Sequence, residues 1–169
     1  MAMTPSSDDT NASVMFDSST SKYLVLYDGL TIETTVTNKA RVVDQWVQQV
    51  SSTHVAGSQM VVGLDTEWMF LDEKKKMKIA ILQLSVEDKC LIFQLHHMDV
   101  IPEALKSFMT HPEIKFVGVG VKQDIKMLER DYRLECNKGI NVDTLARIQW
   151  PDRFGPTPGL KILAKEFES

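Results

Sequence analysis

Two acidic residues at the end of a short apolar segment are the strongest chemical signal in the sequence. Met60 to Leu64 form the apolar segment, and Asp65 and Glu67 follow it two positions apart. A run of this length, preceded by glycine and serine, predicts a β-strand covered on both faces. Because alternate residues of a strand face the same side, both carboxylates would lie on one face. Carboxylates this close need a cation, a shared proton or open water, so a metal site and a solvated strand end are both open interpretations.

A third carboxylate, Asp124, falls on the apolar stripe of a predicted helix. The stripe consists of Val121, Ile125, Leu128 and Tyr132. A charge among apolar residues is costly unless something pairs with it, although a first-turn aspartate stabilised by the helix dipole is the alternative. A cation held by Asp65 and Glu67 would have hard oxygen ligands, which favour Mg²⁺ or Mn²⁺.

Two further motifs carry weaker signals. Gly118-x-Gly120 is similar to the start of a dinucleotide-binding fingerprint, but Gln123 stands where the third glycine is needed, so we expect no nicotinamide cofactor. Lys74 to Lys76 fall in a predicted connection between two strands, where they could meet a nucleic-acid backbone. A solvated charged loop is the favoured interpretation of this lysine run.

Composition limits the class of protein. The 169 residues, 43% of them hydrophobic, are enough for one folded domain. The net charge of -4 argues against a generally basic nucleic-acid-binding surface, so a phosphate partner would be met by a local patch or a metal. Cys90 and Cys136 have no paired spacing, as expected in a reducing compartment. No apolar run could span a membrane and no signal peptide is evident, so we expect an intracellular protein of the cytoplasm or nucleus.

The order of predicted elements favours an α/β fold. Residues 1–21 are mostly polar and predict a disordered tail, which leaves 22–169 as the folded domain. Asp28-Gly29 predicts a hairpin turn, and Thr37 could cap a helix over 38–50. Asp143 would cap a helix that runs toward Gln149. The remaining predicted strands cover 60–67, 78–85, 89–95, 114–119 and 140–142, and the remaining helices cover 101–110, 121–132 and 160–167. Three successive strands followed by alternating helices and strands predict a mixed sheet with helical layers.

Four motifs, in this order, resemble those of the DEDD 3′ to 5′ exonucleases. They are similar above all to the Werner-type branch and its small plant members. The resemblance implies a ribonuclease H-like mixed sheet flanked by helices, two divalent ions, Mg²⁺ or Mn²⁺, and stepwise release of nucleoside monophosphates from a nucleic-acid 3′ end. The motifs are Val62-Gly63-Leu64-Asp65-Thr66-Glu67-Trp68, Ile81-Leu82-Gln83-Leu84, Val117 to Leu128 and Val142-Asp143-Thr144-Leu145-Ala146.

The resemblance also implies roles for individual residues. Asp65 would bridge both ions, Glu67 would help to hold the ion that prepares the nucleophile, and Asp124 would act mainly on the leaving-group side. The expected nucleic-acid contacts are Thr66, Trp68 and Lys122. Trp68 could stack on the terminal base, although a buried tryptophan at a strand end is equally compatible with the sequence.

The resemblance is incomplete at the C-terminal side. The family's third motif is a tyrosine followed four residues later by an aspartate on a C-terminal helix, and Ser169 comes before any such helix. We therefore expect the domain to lack one carboxylate motif. Two hypotheses remain. The first is a metal-dependent exonuclease on RNA or single-stranded DNA, completed by a neighbouring subunit. The second is a catalytically impaired paralogue that binds nucleic acid or pairs with itself or with a full-length homologue.

Overall fold

The computed structural model describes residues 12–71, 76–155 and 158–167. Its strands are β1 (Ala12–Asp17), β2 (Lys22–Tyr27), β3 (Leu30–Thr37), β4 (Met60–Phe70), β5 (Met77–Val86), β6 (Lys89–Phe93), β7 (Ile114–Gly118) and β8 (Gly139–Asn141). Its α-helices are α1 (Ala40–Ser52), α2 (Glu103–Met109), α3 (Val121–Tyr132), α4 (Val142–Gln149) and α5 (Leu160–Phe167). No helix within the described ranges is long and apolar enough to cross a membrane.

All eight of these strands join one mixed sheet in the order β1-β2-β3-β6-β5-β4-β7-β8. Strands β4, β5 and β6 form the predicted antiparallel meander, and β7 and β8 continue the sheet parallel to β4. The hairpin predicted at Asp28-Gly29 is confirmed as the turn between β2 and β3. The sequence therefore predicted the mixed sheet correctly, because short local connections and hydrophobic periodicity both encode it.

Strand β4 is buried on one face only, so the prediction that both of its faces are covered was wrong. Met60, Val62 and Leu64 are buried, whereas Val61 and Asp65 are exposed. The buried face belongs to the main core, to which α1, α2 and α3 contribute apolar side chains. A second, smaller cluster of Ala146, Phe154 and Leu163 joins α4 and α5. The chain therefore leaves open the face of β4 that carries its acidic residues.

The N-terminal part of the fold begins earlier than predicted. Residues 1–11 of the predicted disordered tail lie outside the described residues, but residues 12–17 form β1 and pair with β2. Val14 and Phe16 are of residue types enriched in strands, and the Phe16 ring lies 5.0 Å from the Tyr23 ring on β2. The surrounding polar residues hid this short apolar segment when the tail was judged by its average composition.

Helix α1 receives its N-terminal cap from a distant residue. Thr37 was expected to cap it, but the Thr37 hydroxyl accepts a hydrogen bond from the backbone N–H of Lys39 instead, over 3.0 Å. The carboxylate of Asp99 accepts from the Ala40 N–H over 2.9 Å. Together with a second bond from the Val100 N–H, this bond lowers the pKa of Asp99. A cap supplied across 59 residues cannot be found by inspecting the helix start alone.

Helix α3, which carries Asp124 in its first turn, is fixed at its C-terminal end to β5. The Tyr132 hydroxyl donates to the Ile79 carbonyl oxygen over 2.5 Å. The Asp131 carboxylate accepts from the Ile79 N–H over 3.0 Å. These two bonds hold the helix across the β4–β5 pair, and that placement brings its first turn next to the acidic end of β4.

Candidate metal and nucleic-acid site

Asp65 and Glu67 lie on the open face of β4, as their spacing predicts. Both side chains are exposed, and Thr66 between them is buried. Directly after Glu67 the register with β5 shifts, so that Glu67 pairs with Ile81 but Trp68 pairs with Ile79. Such a bulge increases the local twist and redirects the side chains that follow it. The two carboxylates therefore end the regular part of the strand, and the bulge was not visible in the sequence.

Asp124 approaches the same end of β4 from α3. Its side chain is buried, with 7% exposure, and Oδ1 accepts a hydrogen bond from Thr66 Oγ1 over 2.7 Å. Burial raises the pKa of Asp124, the Thr66 hydrogen bond opposes this effect, and the nearby charges of Asp65 and Glu67 raise it further. Asp124 therefore lies in the neighbourhood of both exposed carboxylates and does not point into bulk solvent.

The three carboxylates are near one another without forming a tight cluster. Among the described residues, no group of three or more His, Cys, Asp or Glu side chains is arranged to hold a metal ion. The donor set still fits a hard divalent cation, because it consists of carboxylate oxygens whose mutual repulsion a cation would relieve. Asp65, Glu67 and Asp124 are the residues that would hold it, and their side chains would have to close around it.

Thr66 and Trp68 face the protein interior. Thr66 is 6% exposed, and its hydroxyl accepts a hydrogen bond from Trp68 Nε1 over 2.9 Å while it donates to Asp124. Trp68 is half-buried and packs against the main core. Of the two interpretations of Trp68, the packed one fits this arrangement. The Thr66 hydroxyl is likewise directed at Asp124, away from the solvent where a nucleic acid would lie.

Lys122 is exposed in the first turn of α3, two positions before Asp124. Its backbone N–H donates to the Asn141 side chain over 3.2 Å, and the Gly120 N–H donates to the Asp143 carboxylate over 3.4 Å. Asp143 was predicted to cap its own helix. That prediction was wrong, because α4 already begins at Val142 and has no side-chain cap. The parallel pairing of β7 with β8 brings the Asn141 and Asp143 side chains to the start of α3 instead.

A cavity of about 300 Å³ opens beside Asp65 on the same face of the sheet. Its wall is mostly apolar and includes Gly63, Cys90, Val142 and Leu160. Sequence reasoning did not identify this cavity, because it forms between the sheet, α4 and α5, which are distant in the chain. Lys74 and Lys75, which were suggested to contact a nucleic-acid backbone, fall outside the described residues.

Asp124→Asn is expected to raise the melting temperature of the metal-free protein at pH 7. A carboxyl group whose pKa is raised by folding favours the folded state only while it is protonated. That contribution is complete below the unfolded-state pKa, roughly 4, and is lost as the pH rises through the raised folded-state pKa. The amide carries no charge and keeps an oxygen for the Thr66 hydroxyl. Thermal unfolding in EDTA between pH 4 and 8 should therefore show that the melting temperature of the variant exceeds that of the wild type by an amount that grows with pH.

Exposed Asp152 provides the matched control. Asp152→Asn removes the same charge where there is no buried partner, so its melting temperature should follow the wild type at every pH. An Asp124→Asn variant that melts at or below the wild-type temperature at pH 7 would show that the Asp124 charge is already compensated.

The sequence relatives are much longer than the 89 residues over which they match this chain. The sequence model of the 3′–5′ exonuclease family matches residues 35–167. The 3′–5′ exonucleases of Drosophila mojavensis and Drosophila melanogaster are 32% and 33% identical to the chain over 89 residues, which is 52% of its length. The chain covers 26% and 24% of these two proteins, so it spans about a quarter of the curated relatives it matches.

Solved structures agree on the fold. A crystal structure of the EXD2 exonuclease domain soaked in Mg and GMP superposes with a TM-score of 0.61 at 24% sequence identity, and the match covers 78% of this chain and 68% of that one. A second crystal structure of the EXD2 exonuclease domain gives the same TM-score. The predicted ribonuclease H-like mixed sheet flanked by helices is thereby confirmed. Since the family match extends over residues 35–167, the chain belongs to the 3′–5′ exonuclease family.

Proposed function

We propose that this protein is a divalent-metal-dependent 3′–5′ exonuclease that hydrolyses phosphodiester bonds at the 3′ ends of RNA or single-stranded DNA and releases nucleoside monophosphates. The observation that best supports the proposal is the approach of Asp124 to the end of β4 where Asp65 and Glu67 lie. Asp65 and Glu67 lie on the open face of β4, and the negative charges of both contribute to the raised pKa of the buried Asp124. We also propose that it belongs to the Werner-type branch and its small plant members, and that it acts in the cytoplasm or nucleus.

Each residue has a task that follows from its position. Asp65 and Glu67 are exposed and can move toward a bound cation, whereas Asp124 is held in place by α3 and Thr66. Mg²⁺ or Mn²⁺, when bound by these carboxylates, supplies an activated water and neutralises the charge that develops on the leaving oxygen. Exposed Lys122 lies two residues from Asp124 and can contact a phosphate of the substrate backbone.

A second candidate function is that of a binding or pairing module with little catalysis of its own. Two observations favour it. The described carboxylates are not gathered into a preformed metal cluster. In addition, the two C-terminal helices and the loop after α4 expose large apolar side chains, namely Leu145, Ile148, Trp150, Leu160 and Ile162. Exposed apolar patches of this kind mark association surfaces, which here would pair the chain with itself or with a full-length homologue.

The decisive experiment uses the same RNA and single-stranded DNA oligonucleotides labelled at either end. For an exonuclease that starts at the 3′ end, the 3′ label should be released at once as a mononucleotide, and the 5′ label should appear in a ladder that shortens step by step. Both products should require Mg²⁺ or Mn²⁺ and disappear with EDTA. Metal-dependent binding without any product, together with a dimer in light scattering, would favour the second candidate and contradict the first.

A further inference from the structure

Three side chains beneath the open face of β4 are linked by hydrogen bonds whose direction is fixed. Trp68 Nε1 lies 2.9 Å from Thr66 Oγ1, which lies 2.7 Å from Asp124 Oδ1. An indole N–H can only donate, so the Thr66 hydroxyl must accept from Trp68. A hydroxyl has one hydrogen, and that hydrogen is therefore free to be donated to Asp124. The bond from Trp68 therefore orients the Thr66 hydroxyl so that it donates its hydrogen to the Asp124 carboxylate.

Burial makes these bonds strong constraints. Thr66 and Asp124 are both more than nine-tenths buried, and hydrogen bonds to a carboxylate are stronger than those between neutral groups. Threonine is branched at Cβ and has few accessible rotamers, so its hydroxyl is a well-placed donor. Trp68, which holds that hydroxyl from the other side, is itself packed against the main core. The position of Asp124 Oδ1 is consequently determined by β4 as well as by α3.

The position of Thr66 in the chain links this constraint to the two exposed carboxylates. Thr66 stands between Asp65 and Glu67, and its side chain points to the opposite face of the strand. One three-residue segment therefore presents two carboxylates on one face and fixes the third carboxylate, which comes from a helix, through the other face. Movement of the first turn of α3 away from β4 would stretch the 2.7 Å bond to Asp124.

We propose that Thr66, oriented by Trp68, is a positioning residue that sets the geometry of Asp124 relative to Asp65 and Glu67 and thereby the affinity of the site for a divalent cation. The inference rests on the proposed function, since it assigns a task within the same site. Thr66 acts through Asp124 and makes no contact with the substrate. Because the other two carboxylates are exposed, Asp124 is the member of the set whose orientation is determined before a cation arrives.

The test measures Mn²⁺ binding to the full chain by electron paramagnetic resonance, without reference to activity. Thr66→Val keeps the shape of the side chain and removes the hydroxyl, and we expect it to weaken Mn²⁺ binding about 10- to 100-fold, as loss of an outer-shell partner does. Thr66→Ser restores the hydroxyl and should bind like the wild type. Trp68→Phe keeps Thr66 but removes the N–H that orients it. Its Mn²⁺ affinity should lie between that of Thr66→Val and that of Thr66→Ser. In turnover assays Thr66→Val should lower kcat and leave KM for the oligonucleotide unchanged.

The possible outcomes separate this inference from the proposed function. If the wild type binds Mn²⁺ and Thr66→Val binds it equally well while melting at a lower temperature, the hydroxyl serves stability only and the inference is overturned, whereas the exonuclease proposal stands. If the wild type does not bind Mn²⁺, both fail. If Thr66→Val does not fold, Trp68→Phe decides the question, and unchanged affinity in that variant overturns the inference.

Discussion

Asp65→Asn is expected to slow nucleotide release severely while it leaves the fold intact. Asp65 is exposed on the open face, so neutralising it removes no core contact. It also relieves the repulsion that contributes to the raised pKa of Asp124. Metal ions supply several kcal/mol of transition-state stabilisation, and each 1.36 kcal/mol corresponds to tenfold in rate, so losing a central ligand should cost on the order of 10³-fold in kcat.

The same variant should separate metal binding from folding. In the wild type, Mg²⁺ or Mn²⁺ at roughly 100 times its Kd adds about 2.7 kcal/mol to the free energy of unfolding, which raises the melting temperature. In Asp65→Asn this rise should be absent, although the metal-free variant melts at or slightly above the wild-type temperature. Both quantities can be measured by thermal unfolding with and without metal, next to the turnover assay.

A matched control is Glu135→Gln, which removes one exposed carboxylate from the loop after α3. It should keep the activity and the metal-induced rise in melting temperature. If Asp65→Asn also kept both, Asp65 would not be a metal ligand, and the assignment of the first motif to catalysis would have to be abandoned.

Local sequence patterns were sufficient for the sheet from β2 onward and for the exposed carboxylates. The meander from β4 to β6 follows from apolar strands joined by short connections, and α3 begins and ends at the predicted residues, Val121 and Tyr132. The side-chain period of two places Asp65 and Glu67 together because it depends on backbone geometry alone. The apolar stripe of the predicted helix singled out Asp124, and the family resemblance implied its role, but its approach to β4 depends on the packing of α3.

Features that depend on two distant segments could not be predicted. The caps that Asp99, Asn141 and Asp143 provide cross 59, 19 and 23 positions, respectively, and no local pattern encodes such pairs. Thr66 points inward because β4 is buried on one face only. The hydrophobicity pattern of β4 did not reveal this, because Val61 and Gly63 on the open face are also apolar and the segment reads as one continuous apolar run. Sequence reasoning therefore identified the charged residues of the candidate site, but it named Thr66 only as a nucleic-acid contact and did not reveal its buried hydrogen bond to Asp124.

Gly118→Ala is expected to cause a larger loss of stability than alanine at any other glycine without a positive φ that the structure describes. Gly118 ends β7, and a Cβ at this position would lie 2.3 Å from the backbone carbonyl oxygen of Leu64 on β4. A backbone oxygen in the sheet cannot rotate away, so β7 and β4 have to separate. Overpacking of this kind costs about 1–3 kcal/mol, and for a domain of this size each kcal/mol lowers the melting temperature by about 2–4 °C.

The damage should extend from stability to the site, because Leu64 immediately precedes Asp65 and Gly118 leads through Gly120 into α3. Separation of the two strands there would carry Asp124 away from Thr66, so Gly118→Ala should weaken Mn²⁺ binding as well as lower the melting temperature. Gly155→Ala is the control, since its Cβ would meet no atom within 4 Å. If Gly118→Ala melted within 1 °C or so of Gly155→Ala, well short of the 2–4 °C expected per kcal/mol, the two strands could relax apart at little cost. The close approach of β7 to β4 would then not be what holds the start of α3 against the acidic end of β4.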